Sequence, residues 1–210
     1  MKKKTAIAAL VSVLALLALP AAAQVTTEIG FLGTWIHSTT TTVTNAQYDI
    51  GVKFQDGAGG GVFLDVRPWR LVSFELSGFY TRQSGAITAN GSTLVSAGSL
   101  EAKTGVLEAK VHPLGEGTFD LYVGAGGAYV GFNDLADQAL DAAGIGTVTV
   151  KGKAGFAGSA GVRVKLGSSA GFVVDAKYLA VKPQSQGASG PPTDLRWNPL
   201  LVSAGFGFRF

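Results

Sequence analysis

Hydrophobic and polar positions alternate with a period of two along most of the chain after residue 24. In the last segment, residues 200–210, the even positions are apolar and end in Phe206, Phe208 and Phe210, whereas the odd positions are mostly small or polar. A period of two is typical of a β-strand whose two faces meet different surroundings. Three outward phenylalanines predict a strand that turns its apolar face to lipid rather than to water.

The same alternation predicts seven earlier strands, which cover residues 28–37, 61–67, 71–82, 100–111, 119–132, 147–165 and 171–182. Long loops are expected at 39–59, 83–98, 133–146 and 183–196, and short turns lie between them. Such an asymmetry is typical of barrels with long outer loops and short periplasmic turns. The sequence therefore predicts an all-β fold, an eight-stranded antiparallel up-and-down transmembrane β-barrel. A soluble barrel with an apolar interior is the alternative.

Two segments leave the strand assignment open. Residues 48–54 alternate within the first long loop, so they can extend a neighbouring strand. In the fourth strand, Glu101 and Lys103 fall on the outward parity. We expect either a bulge near Gly105 or a strand that continues beyond the membrane, where parity matters less.

The first 23 residues have the pattern of a secretory signal peptide. Three lysines precede an apolar run at 6–19, and Ala21–Ala23 supplies a small-residue cleavage site. We expect a signal peptide at 1–23 and a single barrel domain at 24–210. A retained helix is the alternative, but the run is shorter than the roughly 20 residues that span a bilayer.

Composition narrows the possible class of protein further. The formal charge of +3 comes from the three N-terminal lysines, so the mature chain is near neutral and gives no electrostatic reason for nucleic-acid binding. The chain has no cysteine, which excludes disulfides, and its 30 glycines disfavour long helices. A closed barrel fits both facts, because every backbone group can pair with a neighbouring strand.

Charged residues with inward parity concentrate towards the short-turn ends of the strands. Both signs are represented, and an unpaired charge in a narrow lumen is costly, so we expect pairing across the lumen. An ion-selective pore is the alternative, although a pore would usually carry an excess of one sign. This set, the charged floor, comprises Glu28, Asp65, Arg67, Glu75, Glu108, Lys110, Arg163, Lys165, Asp175, Lys177 and Arg209.

Towards the long-loop ends the inward residues become apolar. Small inward residues such as Gly124, Gly126 and Ala157 leave room in the lumen. We expect a cup, open to the outside, that suits a small hydrophobic molecule or an acyl chain; simple packing of these side chains against one another is the alternative. The apolar cup comprises Leu32, Ile36, Phe63, Phe79, Val130, Phe132, Leu179, Val181 and Leu201.

Catalytic and metal-binding patterns are weak. His37 lies at the outer end of the first strand with no carboxylate evidently aligned beside it, and His112 lies at a turn. Two histidines at opposite ends make a poor metal site. The glycines of Gly124–Gly127 do not open a helix, so they do not indicate a nucleotide loop. We therefore expect no enzymatic activity, no cofactor and no metal.

Two stretches resemble a known family. Leu121–Gly126, followed by Tyr129, resembles the fifth strand of the OmpW family, and Asn198–Phe210 resembles its closing strand. Related small barrels of the OmpA–OmpX-like group share both stretches.

The resemblance implies a place in the outer membrane of a Gram-negative cell, with outer-membrane lipid and lipopolysaccharide as partners. It also implies that Phe206, Phe208 and Phe210 form an assembly signal for the barrel-assembly machinery, and that small hydrophobic compounds pass through the barrel and leave sideways into the membrane. A structural or adhesive surface barrel that acts through its loops, with a closed lumen, is the alternative.

Overall fold

The computed structural model describes residues 25–37, 41–45, 48–89, 92–115, 117–133, 149–186, 193–194 and 197–210. All regular elements in these ranges are β-strands. They are β1 (Thr26–His37), β2 (Thr41–Asn45), β3 (Tyr48–Trp69), β4 (Val72–Ala89), β5 (Ser92–Val111), β6 (Phe119–Phe132), β7 (Thr149–Lys151), β8 (Lys153–Lys165), β9 (Ala170–Ala180), β10 (Gln184–Gln186), β11 (Thr193–Asp194) and β12 (Leu200–Arg209).

Eight of these strands close into an antiparallel barrel. Their order is β1-β12-β9-β8-β6-β5-β4-β3, and β3 returns to β1. Ile29 of β1 therefore has Phe208 of β12 on one side and Leu64 of β3 on the other. Closure leaves no strand edge unpaired in the wall. The predicted eight-stranded fold is confirmed.

The two faces of the wall differ as the sequence predicted. Along β1 the side chains of Leu32 and Ile36 are buried, whereas those of Phe31 and Trp35 are 62% and 46% exposed. The remaining barrel strands follow the same rule: large apolar residues are exposed outside, and the buried inner face carries charged, polar and apolar residues. The alternative of a soluble barrel, which needs an apolar interior and a polar exterior, does not fit this arrangement.

Three short connections lie at the end of the barrel where β1 begins and β12 ends. They are residues 70–71, 112–118 and 166–169. Gly167 has a φ of +130°, a conformation that L side chains rarely adopt, so this tight turn needs glycine. Thr27 and Phe210 exchange backbone hydrogen bonds of 3.3 and 3.1 Å at the same end. The first and last strands of the barrel are therefore hydrogen-bonded to each other at the end that carries the short turns.

Several predicted boundaries were wrong at the opposite end. Residues 83–98 are mostly strand, because β4 and β5 continue as a hairpin to Ala89 and Ser92. Polar residues hid this extension, since backbone pairing outside a membrane needs no hydrophobic alternation. β3 begins at Tyr48, which confirms that residues 48–54 extend a strand. The prediction of a bulge near Gly105 was wrong, because Gly78 pairs with Gly105 in regular register.

The predicted sixth strand also differs. It begins at Lys153 rather than 147, and residues 149–151 form β7, which pairs with β10 instead of the wall. β10 also pairs with β11, so the predicted loop 183–196 supplies two strands of a second, three-stranded sheet whose third strand is β7. The predicted signal peptide at 1–23 lies outside the described residues. Among those that are described, no helix is both long and apolar enough to span a bilayer.

Candidate functional site

Lys177 is the central residue of the charged floor. Its Nζ lies 2.9 Å from Glu75 Oε1, 2.6 Å from Glu108 Oε2 and 3.2 Å from Asp175 Oδ1. Glu75 also pairs with Lys110 through Oε2. Because β9 and β4 lie opposite each other in the ring of eight strands, the pair of Lys177 and Glu75 spans the lumen.

A second group of ion pairs adds the arginines. Arg67 Nη2 lies 2.5 Å from Asp120 Oδ2, and Arg163 Nε lies 2.9 Å from Glu28 Oε1. Glu28 Oε2 also faces Arg209 Nε at 3.4 Å. Except for Arg209, these residues are at most 3% exposed. Each buried charge thus has an opposite charge beside it, which offsets the cost of removing both from water.

His112 occupies a position in this network that has the spacing of a hydrolytic triad. Its Nε2 lies 2.9 Å from Ser73 Oγ, and its Nδ1 lies 2.8 Å from Asp120 Oδ1. Ser73, His112 and Asp120 are all fully buried, and the Ser73 hydroxyl donates instead to Asp65 at 2.8 Å. A catalytic serine must be reached by substrate and must give its proton to histidine. The geometry therefore supports a structural role.

Tyr122 contacts two members of the charged floor, Asp175 and Lys110. Its hydroxyl donates to Asp175 Oδ2 at 2.8 Å, and Lys110 Nζ lies 4.1 Å from its ring centroid. Gly161 makes room for this ring, because an added Cβ there would collide with the Tyr122 hydroxyl. A glycine on β8 thus allows the Tyr122 side chain of β6 to lie over β8 on the inner wall and reach Asp175 of β9.

All eleven residues predicted for the charged floor lie on the inner face. Nine form ion pairs with one another or with Asp120. Asp65 takes part through its hydrogen bond from Ser73. Lys165 is half-buried and lines a small recess with Glu28 and Arg163.

Sequence reasoning missed three members of the floor, namely Asp120, Tyr122 and His112. The parity rule could have found all three. Asp120 and Tyr122 alternate with the outward Leu121 and Val123, and His112 continues the inward parity of β5. Placing His112 in a turn hid it, because turn residues are usually exposed.

The residues of the apolar cup lie together at the long-loop end of the lumen. Eight are at most 6% exposed and form a single cluster, against which the half-buried Phe132 packs. The cluster also contains Ala157, which was predicted as a small inward residue, and residues that sequence analysis did not single out: Phe54, Leu100, Ala102, Val106, Ala128, Val173 and Trp197. Their burial means that the cup is filled by its own side chains in this conformation. Its use for a ligand stays a prediction.

Outside the lumen, the expectation that no carboxylate is aligned beside His37 was wrong. Its Nδ1 lies 2.6 Å from Asp56 Oδ1, and its ring stacks on Trp35 with centroids 5.6 Å apart. Asp56 was assigned to a loop, but β3 runs beside β1 there, with Ile36 opposite Gly57. Both partners are about half exposed, and such an exposed pair contributes at most about 1 kcal/mol.

No group of three or more histidine, cysteine or acidic side chains is arranged to hold a metal ion within the described part of the chain. The carboxylates of the floor lie against lysine and arginine side chains instead. Their negative charge is already compensated, which leaves little attraction for a cation.

A comparison with protein families identifies the class of this barrel. The model of the OmpW family matches residues 77–210, which is more than half of the chain. The chain belongs to the OmpW family. No curated protein sequence matches it.

Solved structures agree with this OmpW-family fold. The crystal structure of outer membrane protein OprG from Pseudomonas aeruginosa is 15% identical, with a TM-score of 0.72, 90% of this chain and 96% of that chain being covered. The solid-state NMR structure of AlkL in lipid bilayers is 18% identical, with a TM-score of 0.60 and coverage of 91% and 92%. Neisserial surface protein A is 10% identical, with a TM-score of 0.56 and coverage of 87% and 97%.

The OmpW-family barrel lies in the outer membrane, which explains its exposed apolar wall. Phe206, Phe208 and Phe210 are 52%, 50% and 72% exposed on that wall. Phe206 also stacks edge-on against Phe172 of β9, with centroids 5.4 Å apart. Recognition of these phenylalanines by the assembly machinery stays a prediction, as do contacts with lipopolysaccharide.

Proposed function

We propose that this OmpW-family barrel binds small hydrophobic molecules in its apolar cup and passes them passively into or across the outer membrane. The observation that carries the proposal is the division of the lumen into two halves. A single apolar cluster lies at the long-loop end, and the ion pairs lie at the short-turn end. An apolar cavity with few polar groups is the usual setting for hydrophobic ligands.

The charged floor sets the direction of passage in this proposal. Lys177 and Glu75 meet across the lumen, so a straight path along the barrel axis would have to break buried ion pairs. An apolar solute cannot replace these contacts, and separating them costs several kcal/mol. We therefore propose that cargo leaves the cup sideways into the membrane rather than through the floor.

The experiment compares one inward and one outward substitution. Leu179 is fully buried in the cup, whereas Val174 lies on the outer wall of the same strand and is 37% exposed. Leu179→Arg should abolish binding of the apolar fluorescent probe N-phenyl-1-naphthylamine to refolded protein in nanodiscs, because it places an unpaired charge in the cup. Val174→Ala should leave binding unchanged.

A milder variant separates loss of binding from loss of the fold. Leu179→Asn introduces a polar group without a charge and should weaken binding while leaving the circular dichroism spectrum of the barrel intact. If the wild type binds no more probe than empty nanodiscs, the cup is not a binding site. If Leu179→Asn and Leu179→Arg bind as the wild type does, the probe lies elsewhere.

Surface adhesion is a second candidate, favoured by the length of three strands. β3, β4 and β5 have 22, 18 and 20 residues, whereas about 9–11 residues cross a bilayer. The β4–β5 hairpin therefore projects beyond the membrane. Loss of cell binding on shortening it, with cargo binding retained, would favour adhesion over passage.

A further inference from the structure

Trp197 is the largest fully buried side chain of the described residues, at 1% exposure. It immediately precedes β12, and its backbone forms an isolated bridge to Val181 with hydrogen bonds of 3.1 and 3.4 Å. Its indole is part of the apolar cluster that contains the cup residues. The backbone pairing therefore holds a large aromatic ring at the long-loop end of the lumen.

The indole Nε1 of Trp197 is buried and has no hydrogen-bond partner. An indole is a donor only, with one fixed direction, and a buried donor without an acceptor costs free energy. The hydroxyls of Ser77, Thr81 and Ser159 also lack partners, but a hydroxyl can rotate and can accept as well as donate. Unlike these hydroxyls, the unpaired indole can neither rotate its donor nor act as an acceptor.

The neighbours of Trp197 do not remove this cost. The ring of Phe132 stands nearly perpendicular to the indole, at 81° and 5.1 Å between centroids. An aromatic face is at best a weak acceptor. The other members of the cluster are hydrocarbon side chains, and among the described residues the indole Nε1 has no acceptor. An incoming molecule that carries an acceptor oxygen would satisfy the donor.

We propose that the Trp197 indole N–H is the polar contact for cargo in the apolar cup, which selects uncharged molecules with a hydrocarbon body and an acceptor oxygen, such as ketones, esters or alcohols. This inference rests on the proposed function of the cup. A plain hydrocarbon would leave the indole unpaired. A carboxylate would bring a charge among the hydrocarbon side chains of the cluster, which is costlier still.

The test compares three probes of similar length: 2-undecanone, undecane and decanoate at neutral pH. Full-length mature protein in nanodiscs is titrated with each probe, and displacement of N-phenyl-1-naphthylamine reports the affinity. Trp197→Phe keeps an aromatic ring but removes the N–H donor together with part of the ring volume, and undecane reports the effect of the lost volume alone. The substitution should weaken 2-undecanone roughly 3- to 10-fold more than it weakens undecane, the value of one net hydrogen bond.

The matched control is Trp35→Phe, since Trp35 lies on the outer wall and is 46% exposed. It should change the affinity for none of the three probes.

A second measurement needs only the wild type. The chain has 3 tryptophans, so its indole N–H spectrum has three resonances, and 2-undecanone should shift that of Trp197 downfield whereas undecane should not.

The outcomes separate this inference from the proposed function. If undecane and 2-undecanone bind, lose equal affinity in Trp197→Phe and leave the indole resonance alone, the selectivity is overturned and the cup stands. If decanoate binds most tightly, the preference for uncharged cargo is wrong. If no probe displaces the fluorophore and none shifts the indole, this inference falls, and if the fluorophore itself does not bind either, the proposed function falls with it.

Discussion

Lys177 Nζ lies 2.6 Å from Glu108 Oε2, although β9 and β5 are separated by two strands in the barrel wall. The contact therefore runs through the lumen rather than along the sheet. Both side chains are at most 1% exposed. Besides pairs within one strand or hairpin, the interior of this barrel contains pairs of charges that no single strand or hairpin contains.

Removing this lysine should destabilise the barrel strongly. Lys177→Met leaves Glu108 and Asp175 without their ammonium partner, and breaking a buried ion pair in this way costs about 3–5 kcal/mol. Urea unfolding of the refolded protein measures the loss. Lys103→Met is the control, because Lys103 is exposed on the outer wall and should change stability by about 0.5 kcal/mol or less. Equal effects of the two substitutions would contradict a floor of buried pairs.

Opening the floor should create an ion path. In planar bilayers the wild type is expected to give no steady conductance, because Lys177 and Glu75 fill the lumen where they meet. Glu75→Ser combined with Lys177→Ser removes both long side chains and should give small, steady current steps. The outward pair of Glu101→Ser and Lys103→Ser should give none. Conductance of the wild type equal to that of the floor variant would show that the floor is already open.

The apolar wall should tolerate charge only outside the bilayer. Leu107 is 59% exposed in the middle of the membrane-crossing part of β5, and Leu114 is 58% exposed in the turn that follows. Leu107→Arg should destabilise the barrel by about 2–4 kcal/mol in lipid vesicles, because it moves a charge into hydrocarbon. Leu114→Arg should be nearly neutral in the same unfolding measurement. The reverse order would mean that the bilayer does not surround β5 at Leu107.

Two glycines of the wall should respond differently to alanine. A Cβ at Gly161 would collide with the Tyr122 hydroxyl, whereas a Cβ at Gly105 would meet no atom within 4 Å. Gly161→Ala should displace Tyr122 from Asp175 and cost about 1–3 kcal/mol, as expected for overpacking. Gly105→Ala should cost nothing measurable by thermal unfolding in detergent. A neutral Gly161→Ala would show that Tyr122 can move without loss.

Which residues face the lumen could be predicted from the chain alone because a strand has a period of exactly two, so one reliable outward residue assigns the whole strand. Leu32 illustrates this, since it was assigned to the inner face from parity and is buried, whereas its neighbour Phe31 is exposed. Residues 83–98 show the limit. Their strands extend beyond the bilayer, where both faces of the hairpin meet water and no alternation of apolar and polar residues is required. The sequence therefore predicted a loop there.

Parity could not show which charges would meet. Lys177 and Glu75 are 102 residues apart in sequence, and their contact depends on the closure that puts β9 opposite β4. Likewise, nothing in the residues around Trp197 reveals that its indole is buried without an acceptor. That follows from the side chains that neighbouring strands and the loop bridge to Val181 bring around it.

The sequence by itself determined that the chain forms a lipid-exposed barrel of eight strands with charges at one end of its lumen, because the contrast between hydrocarbon and interior acts on each strand separately. Only the tertiary structure decided how those charges pair, that Ser73 donates to Asp65 instead of His112, and that Trp197 keeps a free donor in the cup. These features depend on distances across a closed lumen, and closure is a property of all eight strands together.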